Sequence, residues 1–184
     1  MTKIYLPPDN IAFRNRFKKS VFLAGSIGGN VELTKMCEDW QATLSEWLLI
    51  EDFNVFNPRR KDWDSSWIQT FTNPNFAQQV RWELNSLDKS DIIIMYLDPN
   101  TISPISLLEL GLYAHTGKLL VVCPDGFFRK GNVEVVADLY DIPLFNTIGE
   151  LTASNYFDDN RRNFIYRVKF FFNKIRKSYS KIRI

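Results

Sequence analysis

The chain has 184 residues, 45% of them hydrophobic, which is enough for one packed core in a single domain spanning 1–184. No apolar run reaches the about twenty residues that a membrane span needs, and the N-terminal MTKIYLPPDN lacks the apolar centre of a signal peptide. Cys37 and Cys123 sit in apolar runs without CxxC spacing, and His115 is the only histidine. Buried free thiols in a reducing, cytoplasmic compartment are therefore expected, and neither a metal centre nor a histidine triad is.

Residues 1–19, with Pro7-Pro8, read as an irregular lead-in. Ser20–Ala24 (SVFLA) runs into glycines and predicts a buried strand. Over Val31–Leu49, Leu33, Met36, Cys37, Trp40, Leu44, Trp47 and Leu48 fall on one face of a helix. Phe53–Asn57 predicts a second strand. Asn73-Pro74 supplies a cap and a first-turn proline for a helix that runs to about Leu87. Asp91–Leu97 (DIIIMYL) predicts a third strand, apolar enough to be covered on both faces. A helix over about Pro104–His115, a strand over Lys118–Cys123, a short helix near Asn132–Leu139 and a brief strand near Ile142–Phe145 follow.

The chain then turns basic. Of its 23 Lys/Arg, nine lie in 161–184 without one acidic residue, so the remaining 14 stand against all 21 Asp/Glu. Such a tail suits an arm for nucleic acid or another anion. Phe164, Val168, Phe171 and Ile175 recur at helical spacing, however, so a basic C-terminal helix over 159–180 with one packed face is the expectation, and a nucleic-acid partner is not. The alternation of elements predicts an α/β fold. Its expected form is a doubly wound five-stranded parallel sheet in the flavodoxin-like order 2-1-3-4-5, with helices on both faces and right-handed crossovers.

Ligands of such sheets bind outside the carboxyl ends of the strands where the winding reverses, here between the first and third strands. After the first strand comes GSIGGN, Gly25–Asn30, in which Gly25 and Ser26 are candidate ligand contacts. It matches neither the dinucleotide fingerprint nor the Walker A loop, and taken alone an ordinary strand-to-helix turn explains it better. After the third strand, Ser103-Pro104 reads as a cap and a first-turn proline. Glu109 falls on the second turn of that helix among Ile105, Leu107, Leu108, Leu110 and Leu112, a setting that desolvates a carboxylate unless it faces solvent. Glu83 lies beside the apolar stripe of its own helix and needs a partner or a role; a salt bridge to Arg59 or Arg60 would serve as well. The loop NPRRKDWDSSW, Asn57–Trp67, is long, polar and aromatic. Trp63 and Trp67 suit stacking on a planar ring, with Asn57, Arg59, Asp62 and Asp64 for its edge, although tryptophans also pin surface loops. Two carboxylates beside a polar pocket are the equipment of glycosyl transfer.

The order of GSIGG, NPRRKDWDSSW, QVRWELNSLDKSD, SPISLLELGLYAHTGK and GNVEVV, over about Val21 to Val136, resembles the nucleoside 2-deoxyribosyltransferase superfamily, in its branch with an NPRR loop and an SPISLLELG helix. The resemblance implies a retaining double displacement without a cofactor. Glu109 would attack the anomeric carbon of a 2′-deoxynucleoside, and a second nucleobase, or water, would release the sugar. Glu83, in Glu83-Leu84, matches an acidic residue that protonates and orients the base, and is one methylene longer than the family's aspartate. Asn132, in Gly131-Asn132-Val133, matches an asparagine lent by a neighbouring subunit, which implies a homo-oligomer with a shared site. Six residues before Glu109, many transferases have an aspartate. Ser103 stands there instead, as in related 2′-deoxynucleoside 5′-monophosphate N-hydrolases, where serine helps hold the phosphate. Those hydrolases also carry an arginine where this chain has Gly28, so Arg59, Arg60 or Arg129 would have to substitute. Small nucleosides or nucleotides and free nucleobases are the expected partners, in nucleoside salvage; a non-catalytic nucleotide-binding protein is the remaining alternative.

Overall fold

Short runs rich in Val, Ile and Leu form one all-parallel sheet: β1 (Ile4–Tyr5), β2 (Ser20–Gly25), β3 (Asn54–Phe56), β4 (Ile92–Tyr96), β5 (Leu119–Val122) and β6 (Leu144–Phe145). The computed structural model describes residues 3–27 and 40–157. The strands lie in the order β1-β3-β2-β4-β5-β6. This corrects the expected five-stranded sheet of order 2-1-3-4-5 in both count and order. The added strand is β1, inside the supposed irregular lead-in, where Ile4 and Tyr5 pair with Val55 and Phe56. Two residues are too few to display a period-two pattern, and the prolines that follow read as a break. A 3-10 turn at Ile11–Phe13 is also ordered there by Asn10, whose Oδ1 accepts from the Ala12 amide at 2.9 Å.

β2 and β4 are neighbours from Val21↔Ile92 to Gly25↔Tyr96. The chain leaves β2 for β3 on one side and returns through β4 on the other, so the winding reverses between β2 and β4. Alternate residues of the strands, among them Phe22, Ile93, Met95, Leu119 and Val121, join Trp82, Leu87, Leu110, Tyr113, Val133 and Ala137 in one core. The intervening Val21, Leu23, Ile92, Ile94, Leu120 and Val122 are equally buried. Both faces of the sheet are therefore closed to solvent, and the continuous apolar runs of the sequence are the consequence. Cys123 lies free in this core, where burial, above all, pushes its thiol up to about 11.

The described part of the first long helix is α1 (Trp40–Ile50); residues 31–39 of the helix expected from Val31, including Cys37, lie outside the described residues. Helix α2 (Pro74–Lys89) starts as the sequence predicts. Asn73 Oδ1 accepts from the amides of Asn75 and Phe76 at 3.1 and 3.2 Å, and Pro74 occupies the first turn. Helix α3 (Pro104–Tyr113) gives way to a 3-10 turn, Ala114–Thr116, that ends at Gly117 with φ of 71°. Helix α4 (Lys130–Tyr140) extends past both ends of the predicted Asn132–Leu139. These elements belong to one compact unit that ends at Asn146; a second begins at Thr147. Its described part holds α5 (Ile148–Thr152), capped by Thr147 Oγ1, and a 3-10 turn at Asn155–Phe157. The expected basic helix over 159–180 lies outside the described residues. Among the described residues no helix is long and apolar enough to cross a membrane.

Candidate active site

Three loops meet at the carboxyl ends of the central strands, and Ser26 ties two of them together. Gly25, the last residue of β2, has φ of +129°, and a Cβ there would lie 2.1 Å from the Tyr96 carbonyl oxygen. Only glycine lets β2 stay paired with β4 to its end. Gly25→Ala should therefore destabilise the fold by at least about 3 kcal/mol, read as a lower midpoint in urea unfolding. The next residue, Ser26, is buried; its amide donates to Tyr96 O at 2.8 Å, and its Oγ accepts from the Asp98 amide at 2.8 Å.

The same Oγ lies 2.8 Å from Thr101 Oγ1 and 2.6 Å from Ser103 Oγ, and the latter two are 2.6 Å apart. Thr101 Oγ1 also donates to Asp98 O at 3.0 Å. Three hydroxyl protons thus serve four contacts, so one contact lacks a proton, and the cluster can redirect a donor to an arriving acceptor. Ser103 departs from its expected role. It has φ of 38° and ψ of 56°, in the left-handed region, and its side chain makes no cap hydrogen bond. Its hydroxyl is turned to Ser26 and Thr101 instead, a strained placement of the kind that clusters at ligand sites.

Ser103 leads into α3, and α3 carries Glu109 six residues on. Glu109 is buried, with only 9% exposure. Burial, with the charge of Glu83 added to it, pushes its carboxyl up to about 8. The source of that burial differs from the expectation. Of its apolar neighbours, Leu110 faces the core, whereas Ile105, Leu108 and Leu112 are exposed. Glu109 is held on the inner face of the helix, beside Ser106 and Leu110, rather than shielded by the leucines around it in sequence.

Glu83, on α2, is the second carboxylate of the pair. Burial raises its proton affinity, and a hydrogen bond from Gln79 opposes that rise. Gln79 Nε2 donates to Glu83 Oε1 at 2.9 Å and to the Pro58 carbonyl at 2.9 Å. Glu83 therefore has an amide partner one helical turn away, where a salt bridge to Arg59 or Arg60 was the alternative. Nothing in the spacing of charged residues points to Gln79, and an offset of four from Glu83 is too common in helices to single it out.

The loop after β3 is ordered by its own polar groups. Asn57 is buried, accepts from the Arg59 amide at 3.0 Å and donates to Ser45 Oγ at 3.4 Å. Arg59 Nε donates to Gln41 Oε1 at 2.6 Å, and Gln41 in turn donates to Leu23 O on β2. Arg60 makes a two-pronged pair with Asp62 at 2.9 and 3.1 Å, bonds Gln78, and lies over the Trp67 ring. The Arg60 guanidinium holds the Asp62 carboxyl below its usual range, and bonds from Ser66 do the same for Asp64. Trp63 packs edge-on against Trp67, 5.2 Å between ring centres, and keeps 43% of its surface exposed. The two tryptophans thus pin the loop on each other, and the Trp63 ring stays partly exposed. Asn132, on the first turn of α4, is exposed. Hydrogen bonds join Ser26 to Ser103, and Glu83 to Pro58 through Gln79, while the charge of Glu83 acts on Glu109; none of these contacts includes Asn132. Asp98, buried at the end of β4 and bonded to Asn100, was missed as a candidate because an Asp-Pro-Asn turn reads as punctuation.

A family model described as nucleoside 2-deoxyribosyltransferase like matches residues 18–127, more than half of the chain. The matched span contains the β2 loop, the Asn57–Trp67 loop, Glu83, Ser103 and Glu109, and stops short of Asn132. Comparison with curated proteins gives no match. With the reversal point between β2 and β4 furnished by these residues, and more than half of its length in the match, the chain belongs to the nucleoside 2-deoxyribosyltransferase-like family.

Proposed function

We propose that the protein is a nucleoside 2-deoxyribosyltransferase that acts through a covalent deoxyribosyl-Glu109 intermediate. The observation that carries this reading is the pairing of a buried Glu109 with Glu83, whose negative charge adds to burial in making the Glu109 carboxylate costly to ionise. Near neutrality such a pair holds one proton. The proton rests on Glu109, whose carboxyl is pushed up to about 8; in the reactive minor form it has passed to Glu83, and the ionised Glu109 carboxylate attacks C1′ of a 2′-deoxynucleoside. The N-glycosidic bond breaks, its electron pair leaves with the base, and Glu83 supplies the proton that neutralises the base. A second nucleobase then attacks C1′ and displaces Glu109. Gly25 and Ser26 form the floor of the substrate crevice in this reading. Asn57, Arg59, Asp62 and Trp63 line its base side, and Asn132 of a neighbouring copy closes the sugar end.

A second reading is favoured by one feature, the Ser26–Thr101–Ser103 hydroxyl cluster. Its adaptable donors, with the Asp98 amide beside them, suit a phosphate oxygen and hence a 2′-deoxynucleoside 5′-monophosphate hydrolysed by water. One substrate panel separates the two. Thymidine with adenine should yield deoxyadenosine and thymine by chromatography. Release of base and deoxyribose 5-phosphate from the monophosphate, with the nucleoside left untouched, would replace transfer by hydrolysis.

A further inference from the structure

The side chain that joins the loop after β3 to the carboxylate pair is Gln79, and its amide orientation is fixed by an unusual neighbour. The Pro58 carbonyl is an acceptor only, so the Gln79 group facing it, at 2.9 Å, must be the NH2. A flipped amide would set oxygen against oxygen. The second proton of the same NH2 goes to Glu83 Oε1, also at 2.9 Å. Gln79 is 4% exposed, and among the described residues its Oε1 has no hydrogen-bond partner. A buried amide that leaves its acceptor idle while both donors are engaged is arranged for what it donates to.

We propose that Gln79 is a positioning residue for Glu83: held by the Pro58 carbonyl, it can only donate, and it thereby keeps the half-buried Glu83 able to give up its proton. This inference rests on the acid role assigned to Glu83 above. The groups acting on Glu83 are few. Glu109 on α3 presents a like charge, and α3 also brings Tyr113, whose hydroxyl donates to Asp88 at 2.7 Å. From the loop, Arg59 bonds Gln41 and Arg60 bonds Asp62 and Gln78. Burial favours the protonated form of both carboxyls, and the Glu83 charge adds to it at Glu109; the Gln79 donor works in the other direction. Without it, the pair would grip its proton too tightly for delivery to a departing base. The Pro58 carbonyl also makes the setting of Glu83 depend on the path of the Asn57–Trp67 loop.

The test is the titration of the carboxylate pair in the protein alone, read by carbon NMR with labelled glutamate side chains. Resonances are assigned with Glu83→Gln and Glu109→Gln. Gln79→Met removes the donor at similar size and should move the pair's midpoint upward by about one pH unit, a tenfold gain in proton affinity. Gln79→Glu keeps the length, so it guards against misfolding of the first variant, and should move the midpoint further up. In turnover, the alkaline limb of the kcat profile should shift by the same amount in Gln79→Met. An unchanged midpoint in both variants, with a lower Tm, would make Gln79 a packing residue and overturn the proposal. A shifted midpoint in a protein that turns over no nucleoside or nucleotide would leave the role of Gln79 standing and remove the proposed activity.

Discussion

Replacing Glu109 by glutamine should abolish turnover and, at the same time, make the protein more stable. The two effects have one cause. A carboxylate with 9% exposure and a second carboxylate beside it is expensive to ionise, which is why its carboxyl is pushed up to about 8. In the unfolded chain the same group ionises near 4.5. Below that pH both states are protonated and Glu109 costs nothing. As pH rises from about 4.5 to about 8 the unfolded chain releases a proton that the folded chain retains, so stability falls across this window and levels off above it. The full cost is on the order of 5 kcal/mol. Glutamine carries no charge at any pH, so the stability difference between Glu109→Gln and the parent should be small near pH 4 and widen towards pH 8, measured by thermal unfolding across that range. A gain that does not grow with pH would show that Glu109 is not held in a desolvated site. The loss of turnover should be at least about a thousandfold, with no sugar adduct detectable by mass spectrometry, because the amide is no nucleophile. A protein that only binds nucleotides would show the same pH-dependent stabilisation, keep its ligand affinity, and yield no adduct in either form. The stability cost thus locates the strained carboxylate, and the adduct decides what it is for.

What the sequence disclosed follows how far each signal extends along the chain. The long apolar strand runs, the Asn73-Pro74 helix start and the placement of Glu109 inside a helix are patterns of many residues or of known local chemistry, and each appears in the structure at its expected place. β1 escaped because two residues carry no period, and with it went the strand count and order. Ser103 was read from composition as a cap, but Ser-Pro composition does not report φ, and the left-handed backbone turns its hydroxyl to Ser26, 77 residues away. Gln79 was invisible for a related reason: its importance lies in a carbonyl, Pro58 O, and backbone atoms leave no mark in sequence. Glu109 stands out in sequence by its apolar neighbours, yet three of the five, Ile105, Leu108 and Leu112, point outward. The residue was legible, but the physical warrant for it came from the fold.

That outward face carries the second large expectation. Ile105, Leu108 and Leu112 stand at offsets of three and four along α3 and keep 62%, 59% and 49% of their surfaces exposed, while Val135 and Leu139 of α4 keep 69% and 71%. Single exposed apolar residues need no explanation; a helical stripe of them on the helix that bears Glu109 is a surface suited to an interface. We expect a second copy of the chain to cover it, since the exposed Asn132 belongs to the other helix with an apolar outer face. Leu108→Asp places a charge within that stripe, facing away from Glu109. It should convert the protein to a single chain of 21.6 kDa in analytical ultracentrifugation and remove most activity, with the fold retained by circular dichroism. Wild-type protein that sediments as one chain would end this expectation. A sharper demonstration uses two variants that fail for different reasons. Glu109→Gln lacks the proposed nucleophile, and Asn132→Ala lacks the side chain proposed to be lent by the neighbour. If the site is built from two copies, random mixing into dimers should restore about a quarter of the sites: half the dimers are mixed, and each mixed dimer has one site with both residues intact. A site made within one chain would recover nothing on mixing, because no chain in the mixture carries both Glu109 and Asn132.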